Sequence, residues 1–180
     1  MEMTENIGKI LDKTRPRIKF KNRKEQFCLQ VSEYKFNMFR LAKSILHNNT
    51  DAEDAVSEAI LKAYTNLDTL RSMKNFKPWI MKILVNESYA ISKCRKRIVY
   101  VDEIKAGEEP ILNDNKELWN LVKNLEEEFR TVTILFYYED LSLKEICRVL
   151  DLPMGTVKSR LSRARKKLKE IFDEGSSKDE

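Results

Sequence analysis

Between residues 141 and 172 the chain reads LSLKEICRVLDLPMGTVKSRLSRARKKLKEIF, and few folds accommodate that order of signals. Ser142 and Glu145 form an S-x-x-E capping box, in which two side chains answer backbone N–H groups that a first helical turn leaves open. Ile146, Cys147, Val149 and Leu150 follow as a short helix. Asp151 and Pro153 end that helix and start another, because proline is best tolerated in a first turn. Val157, Leu161, Ala164, Leu168 and Ile171 then share one face of a longer helix. A short helix, a tight turn and a longer basic helix constitute a helix-turn-helix.

The longer helix has a second property. From Gly155 to Lys169 it carries seven lysines and arginines and no acid. A merely solvated face mixes both signs, whereas this one suits a polyanion. Gly155 removes a side chain where a backbone could come close, and with Thr156 it sits at the helix start, where exposed N–H groups favour phosphate. Lys158, Ser159, Ser162 and Arg163 lie within two turns and are predicted to share the edge facing base pairs. Arg165, Lys166 and Lys169 fall nearer the phosphates, and Arg160 is also counted among the DNA-binding residues.

The remainder is also helical in period. Phe27, Val31, Tyr34, Met38, Leu41, Ala42 and Ile45 mark one apolar stripe, broken by HNNTD. Thr50 or Asp51 is the expected cap of the next helix, whose Ala52, Ala55, Val56, Ala59, Ile60, Ala63 and Tyr64 make a small, close-packing face. Its opposite face carries Asp51, Glu53, Asp54, Ser57 and Glu58. Acids near an N-terminus complement the helix dipole, and beside DNA-seeking surfaces they also suit a protein partner. Past a break at TLRSMKN, Phe76, Trp79, Ile80, Ile83, Leu84 and Ile91 define a third helix, which ends in Lys93, Arg95, Lys96 and Arg97. Phe76, Trp79 and Tyr89 ahead of those cations combine the aromatics and charge that single-stranded nucleic acid needs, although Trp79 is better read as core. The loop Arg71 to Lys77 is expected to be exposed.

These patterns predict an all-α chain of two small helical domains. Residues 1–26 read as a basic arm with a short helix near Ile7 to Leu11, 27–98 as the first domain, 99–116 as a flexible acidic linker, 117–172 as the helix-turn-helix domain and 173–180 as a polar tail. The net charge of +5 conceals a partition: residues 1–26 carry +4, 27–98 carry +5, 99–117 carry −4, and 118–180 carry zero. Cys28, Cys94 and Cys147 form no C-x-x-C pair and His47 stands alone, so neither a disulfide framework nor a metal site is expected. No phosphate loop, nucleophile elbow or H-E-x-x-H is present, which argues against an enzyme and against a cofactor. The most apolar run, WIMKILV, is too short to span a bilayer, so a cytoplasmic protein is expected.

From about Glu25 to Phe172 the chain resembles the extracytoplasmic-function (ECF) group of bacterial sigma factors, within the sigma-70 family. The resemblance rests on YKFNMFRLAKSILHNNTDAEDAVSEAILKAYTNLDTL, on FKPWIMKILVNESY with KCRKR, and above all on EEFRTVTILFYYEDLSLKEICRVLDLPMGTVKSRLSRARKKLKE. It implies that helix 51–64 binds the clamp helices of core RNA polymerase through Asp51, Glu53, Asp54, Ser57 and Glu58. It implies that Arg71, Ser72, Lys74, Asn75, Phe76 and Lys77 capture a flipped base of the minus-ten element, with Asn86, Lys93, Arg95 and Arg97 nearby on duplex and strand. The helix-turn-helix would read the minus-thirty-five element, the linker would pass through the polymerase cleft, and an anti-sigma factor would be the regulatory partner. Ser57 stands where the family often has Gln, Glu126 where Pro is frequent, Phe136 where a basic residue is frequent, and Asp151 where Gly is common. Asp tolerates a left-handed backbone better than most residues, so the turn is expected to survive. The alternative is a stand-alone helix-turn-helix regulator, which would start no transcription with core polymerase alone, and a third reading is a single-strand-binding module without promoter preference.

Overall fold

The computed structural model describes residues 22–98 and 116–176, whose regular structure is all helical. The predicted short helix near Ile7 to Leu11, the arm up to residue 21, the linker residues 99–115 and the end of the tail lie outside the described residues. Helix α1 spans Arg23–Leu46, α2 Asn49–Thr65 and α3 Phe76–Ile98, with short 3-10 turns at Leu67–Thr69 and Met73–Asn75 between α2 and α3. Helix α4 spans Lys116–Lys123 and α5 Glu127–Thr133, which widens into a π-type turn at Ile134–Tyr138; α6 spans Leu143–Leu150 and α7 Met154–Ser176.

Helices α1 to α3 pack on one another. The alanine face of α2 lets them approach closely, since Ala52, Ala55, Ala59 and Ala63 are all fully buried against Met38, Leu41, Ile80 and Leu84. Tyr64 departs from the predicted stripe: it is largely exposed and meets Phe27 edge-on. Helix α1 begins at Arg23, ahead of the apolar stripe, because the Asn22 side chain accepts the Glu25 N–H at 2.9 Å. The expected cap of α2 is corrected in the same way. Asn48, rather than Thr50 or Asp51, is the extended residue whose side chain accepts the Asp51 N–H, and α2 starts two residues sooner.

In the second domain the capping box forms as expected, with Ser142 Oγ accepting from Glu145 N–H and the Glu145 carboxylate accepting from Ser142 N–H. Asp151 ends α6 in the left-handed conformation at φ 51°. That conformation disfavours most side chains but is reached by Asp, so the turn survives without glycine. Val157, Leu161 and Ala164 of α7 are buried against α5 and α6. Arg130, itself buried, closes the end of α4 by donating to the carbonyls of Lys123 and Leu125 at 2.8 and 2.7 Å.

The two domains are in contact, α3 against α6 and α1 against α5. Arg130 Nη2 lies 2.8 Å from His47 Nε2 across this boundary. A guanidinium only donates, so His47 must present an unprotonated nitrogen there. Burial first, then Arg130 and Lys43, hold the His47 pKa below the ordinary histidine value, with Glu127 opposing. A base whose folded-state pKa is depressed stabilises the folded form above its unfolded pKa, near 6.5, and loses that contribution as pH falls. Denaturant unfolding should therefore show stability falling from pH 7.5 to 5.5 by more in the wild type than in His47→Gln, whose amide oxygen still accepts from Arg130. Identical pH slopes would refute the assignment.

Candidate nucleic-acid and polymerase interfaces

Helix α7 turns 3.6 residues per turn, so its cations divide into two sets. Arg160 and Lys167 flank the buried stripe of Val157, Leu161, Ala164 and Leu168, and both are spent inside the domain. Arg160 Nη2 pairs with Glu128 at 2.7 Å, and Lys167 pairs with Glu126. Arg160, expected among the DNA-binding residues, thus also braces α7 against α5. Arg165 stands on the other flank of the stripe, exposed, with Nε donating to the Tyr137 hydroxyl at 2.8 Å. Opposite the stripe, Lys158, Ser159, Ser162, Arg163, Lys166 and Lys169 are exposed. Gly155 is exposed at the helix start, and a Cβ there would meet nothing within 4 Å, so a phosphate has open access to the backbone. Thr156 is half-buried beside it, its carbonyl taking the Ser159 hydroxyl at 3.0 Å.

The outcome in the first domain is mixed. Arg71, Ser72, Lys74 and Asn75 form an exposed loop, in which Ser72 Oγ caps the Lys74 N–H. Phe76 is not part of that surface. It is fully buried among Phe27, Tyr34 and Trp79, with ring centroids 5.7, 6.3 and 6.0 Å away, so it anchors the loop instead of meeting a base. Lys77 is mostly covered and lies 3.2 Å from the Glu139 carboxylate of the second domain. Asn86 and Lys93 are exposed. Arg95 pairs with Asp51 at 2.7 Å, joining two residues assigned to different surfaces. The side chain of Arg97 lies outside the described residues.

The outer face of α2 exposes Glu53, Asp54, Ser57 and Glu58. It also exposes Leu61, 58% accessible and one turn beyond Ser57 and Glu58. Sequence periodicity left Leu61 unassigned because it falls outside the alanine stripe, and that offset was the available signal. Lys62 neutralises part of the acid, 3.5 Å from Glu58 and 2.6 Å from Glu87, and its hydrogen bond to Glu87 leads the causes that raise its pKa. An acidic face with an apolar residue beside it repels DNA and suits a protein. Among the described residues no group of His, Cys, Asp or Glu is placed to hold a metal ion, and no helix is long and apolar enough to cross a membrane.

Two family models match the chain, sigma-70 region 2 over residues 31–97 and sigma-70 region 4 over residues 115–168. The RNA polymerase sigma factor SigV of Bacillus subtilis is 33% identical over 141 residues, covering 76% of this chain and 84% of its own length. The ECF RNA polymerase sigma factor SigW of the same organism is 30% identical over 168 residues, covering 83% and 90%. Among solved structures, the sigma factor RpoE of Bartonella quintana, crystallised with the anti-sigma factor NepR, superposes with a TM-score of 0.69 at 25% identity, covering 82% of this chain and 96% of that one.

The division of α7 yields a direct test. Arg163→Ala should lower affinity for DNA carrying the cognate upstream element by about tenfold or more, the scale of one lost base-edge contact. Arg160→Ala should change that affinity far less and reduce thermal stability instead. Equal DNA losses in the two variants, measured by fluorescence anisotropy at fixed salt, would overturn the division. With both domains matched in order by region models and by full-length relatives, the chain belongs to the ECF group of the sigma-70 family of RNA polymerase sigma factors, which are non-enzymatic initiation factors.

Proposed function

We propose that this sigma factor divides its work between its two domains in the way its exposed charges are divided. The carrying observation is the row Lys158, Ser159, Ser162 and Arg163, exposed on the second helix of a capped helix-turn-helix while neighbouring cations are paired internally. That row reads the upstream, minus-thirty-five element in the major groove, with Lys166, Lys169 and the backbone at Gly155 on phosphates. Arg71, Ser72, Lys74 and Asn75, with Asn86 and Lys93, engage the minus-ten element as its bases unstack, a step costing a few kcal/mol per base that the bound strand must repay. Asp54, Ser57, Glu58 and Leu61 receive core RNA polymerase. The protein acts in the cytoplasm, where polymerase and promoter meet, and an anti-sigma factor is its regulatory partner, as it is for the RpoE relative.

Purified chain plus core polymerase should start RNA at promoters mapped after its overproduction. A stand-alone regulator would yield no RNA without another sigma factor, and that result would reject the proposal. The double reversal Asp54→Lys with Glu58→Lys should weaken binding to core polymerase by about tenfold or more, since like charges replace complementary ones across the interface. An unchanged affinity would reduce the acidic face to helix-end chemistry.

A further inference from the structure

Tyr137 is exposed at the wide turn after α5 and lies outside the promoter and polymerase surfaces. The turn is wide because the Glu139 N–H reaches the Ile134 carbonyl at 3.0 Å, five residues back instead of four. Its three successive aromatics leave in different directions. Phe136 packs partly into the core, Tyr138 meets Trp119 edge-on at 5.1 Å, and Tyr137 faces α7. Phe136 also meets the Tyr137 ring edge-on at 4.9 Å, which steadies that ring. The Tyr137 hydroxyl accepts the Arg165 Nε–H at 2.8 Å, and the guanidinium carbon lies 6.0 Å from the ring centroid. A large side chain kept in water, with a cation held on its polar tip, needs a reason.

Resting on the promoter reading above, we propose that Tyr137 and Arg165 form a phosphate clamp at the edge of the recognition helix. Tyr137 is at once a donor to the DNA backbone and the positioning residue for Arg165. Three cations of α7 are held by side chains from α5, its cap or the wide turn, and they are held differently. Arg160 and Lys167 lie on carboxylates, which cancel their charge. Arg165 lies on a neutral hydroxyl, so its charge is aimed without being cancelled, and among the described residues it makes no ion pair. It also borders the exposed row. Ser162 and Lys169 are one turn from it along α7 and Lys158 is two turns away, all three exposed.

The donors left over suit a phosphodiester. A hydroxyl that accepts through its oxygen keeps its own hydrogen to donate, and a guanidinium engaged at Nε keeps the edge that carries both Nη groups. One phosphate oxygen takes the Tyr137 O–H, and the guanidinium edge takes the phosphate as a fork. Restraint before binding also counts. A free arginine loses its rotamer freedom when DNA immobilises it, whereas Arg165 is already restrained by Tyr137. The neighbouring Lys158 and Lys169 make a backbone with one charge per about 1.7 Å of axis a better occupant than a single carboxylate.

The test uses holoenzyme made from core polymerase and the full chain, as wild type, Tyr137→Phe, Arg165→Ala and the double variant. The probe is a duplex carrying a promoter mapped after overproduction, and affinity is read by fluorescence anisotropy across a salt series. Tyr137→Phe should weaken binding about fivefold, the scale of one hydrogen bond, with an unchanged melting temperature. Arg165→Ala should weaken it about tenfold and reduce the slope of log affinity against log salt by about 0.9, the share of one phosphate. The double variant should be no weaker than Arg165→Ala. Neutral methylphosphonates placed singly at the linkages around the upstream element should include one at which wild type and Tyr137→Phe bind equally. Unchanged affinity in Tyr137→Phe, losses that add in the double variant, or a Tyr137 effect that survives every neutral linkage would overturn the clamp while leaving the promoter reading intact. A wild type that binds a duplex with the upstream element scrambled equally well would refute that reading and the clamp with it.

Discussion

A carboxylate sealed from water must be answered by cations or hydrogen-bond donors, and Glu139 is answered entirely from across a domain boundary. That requirement orders the rest of the arrangement. It draws α1 toward the wide turn after α5 and brings Arg40 between Trp119 and Tyr138. Arg130 acts similarly on a smaller scale, answering two carbonyls at the end of α4 and then His47, which ends α1 in the left-handed conformation at φ 56°. The buried apolar residues of the two domains run together into one core, and the polar groups on the facing surfaces are complete only where the domains meet.

The same logic sorts the basic helix. Seven cations within fifteen residues repel one another, and a helix with that charge needs acids somewhere nearby. Glu126 at the cap of α5 and Glu128 in its first turn take Lys167 and Arg160 respectively. What they leave is the outward face with Lys158, Arg163, Lys166 and Lys169, and Arg165 on the flank, where it meets the neutral Tyr137 hydroxyl. Selective neutralisation thereby sets both the position of α7 on its domain and the identity of the residues left for DNA. Glu126 stands where the family often has proline, and its pairing with Lys167 gives this departure a structural purpose.

Much of the fold was legible because helical information is local. The alanine stripe of α2, the capping box at Ser142 and Glu145, and the left-handed Asp151 all depend on residues within a turn or two of one another. Errors arose where neighbouring residues offered equivalent solutions. In HNNTD four polar residues can cap, and Asn48 prevails by standing where its side chain reaches the Asp51 N–H. Phe76 borders a polar loop and reads as part of it, yet its partners Phe27 and Tyr34 lie on α1. The position of Arg160 beside the apolar stripe was available from the 3.6-residue period, but its ion pair with Glu128 on another helix was not. Pairings such as Arg40 with Glu139, 99 residues apart, leave no local pattern at all.

The faces that stay exposed and those that are covered differ in what they can bind alone. Base-edge and phosphate contacts by one short helix form a small, salt-sensitive interface, so exposing α7 commits the molecule to little. On the reading proposed above, the loop Arg71 to Asn75 engages unstacked bases, and a cationic surface of that kind binds single strands with little regard to sequence. Lys77 is held on Glu139 while Arg71 and Lys74 stay exposed, so the cations that the first domain offers to a strand lie in the loop ahead of α3.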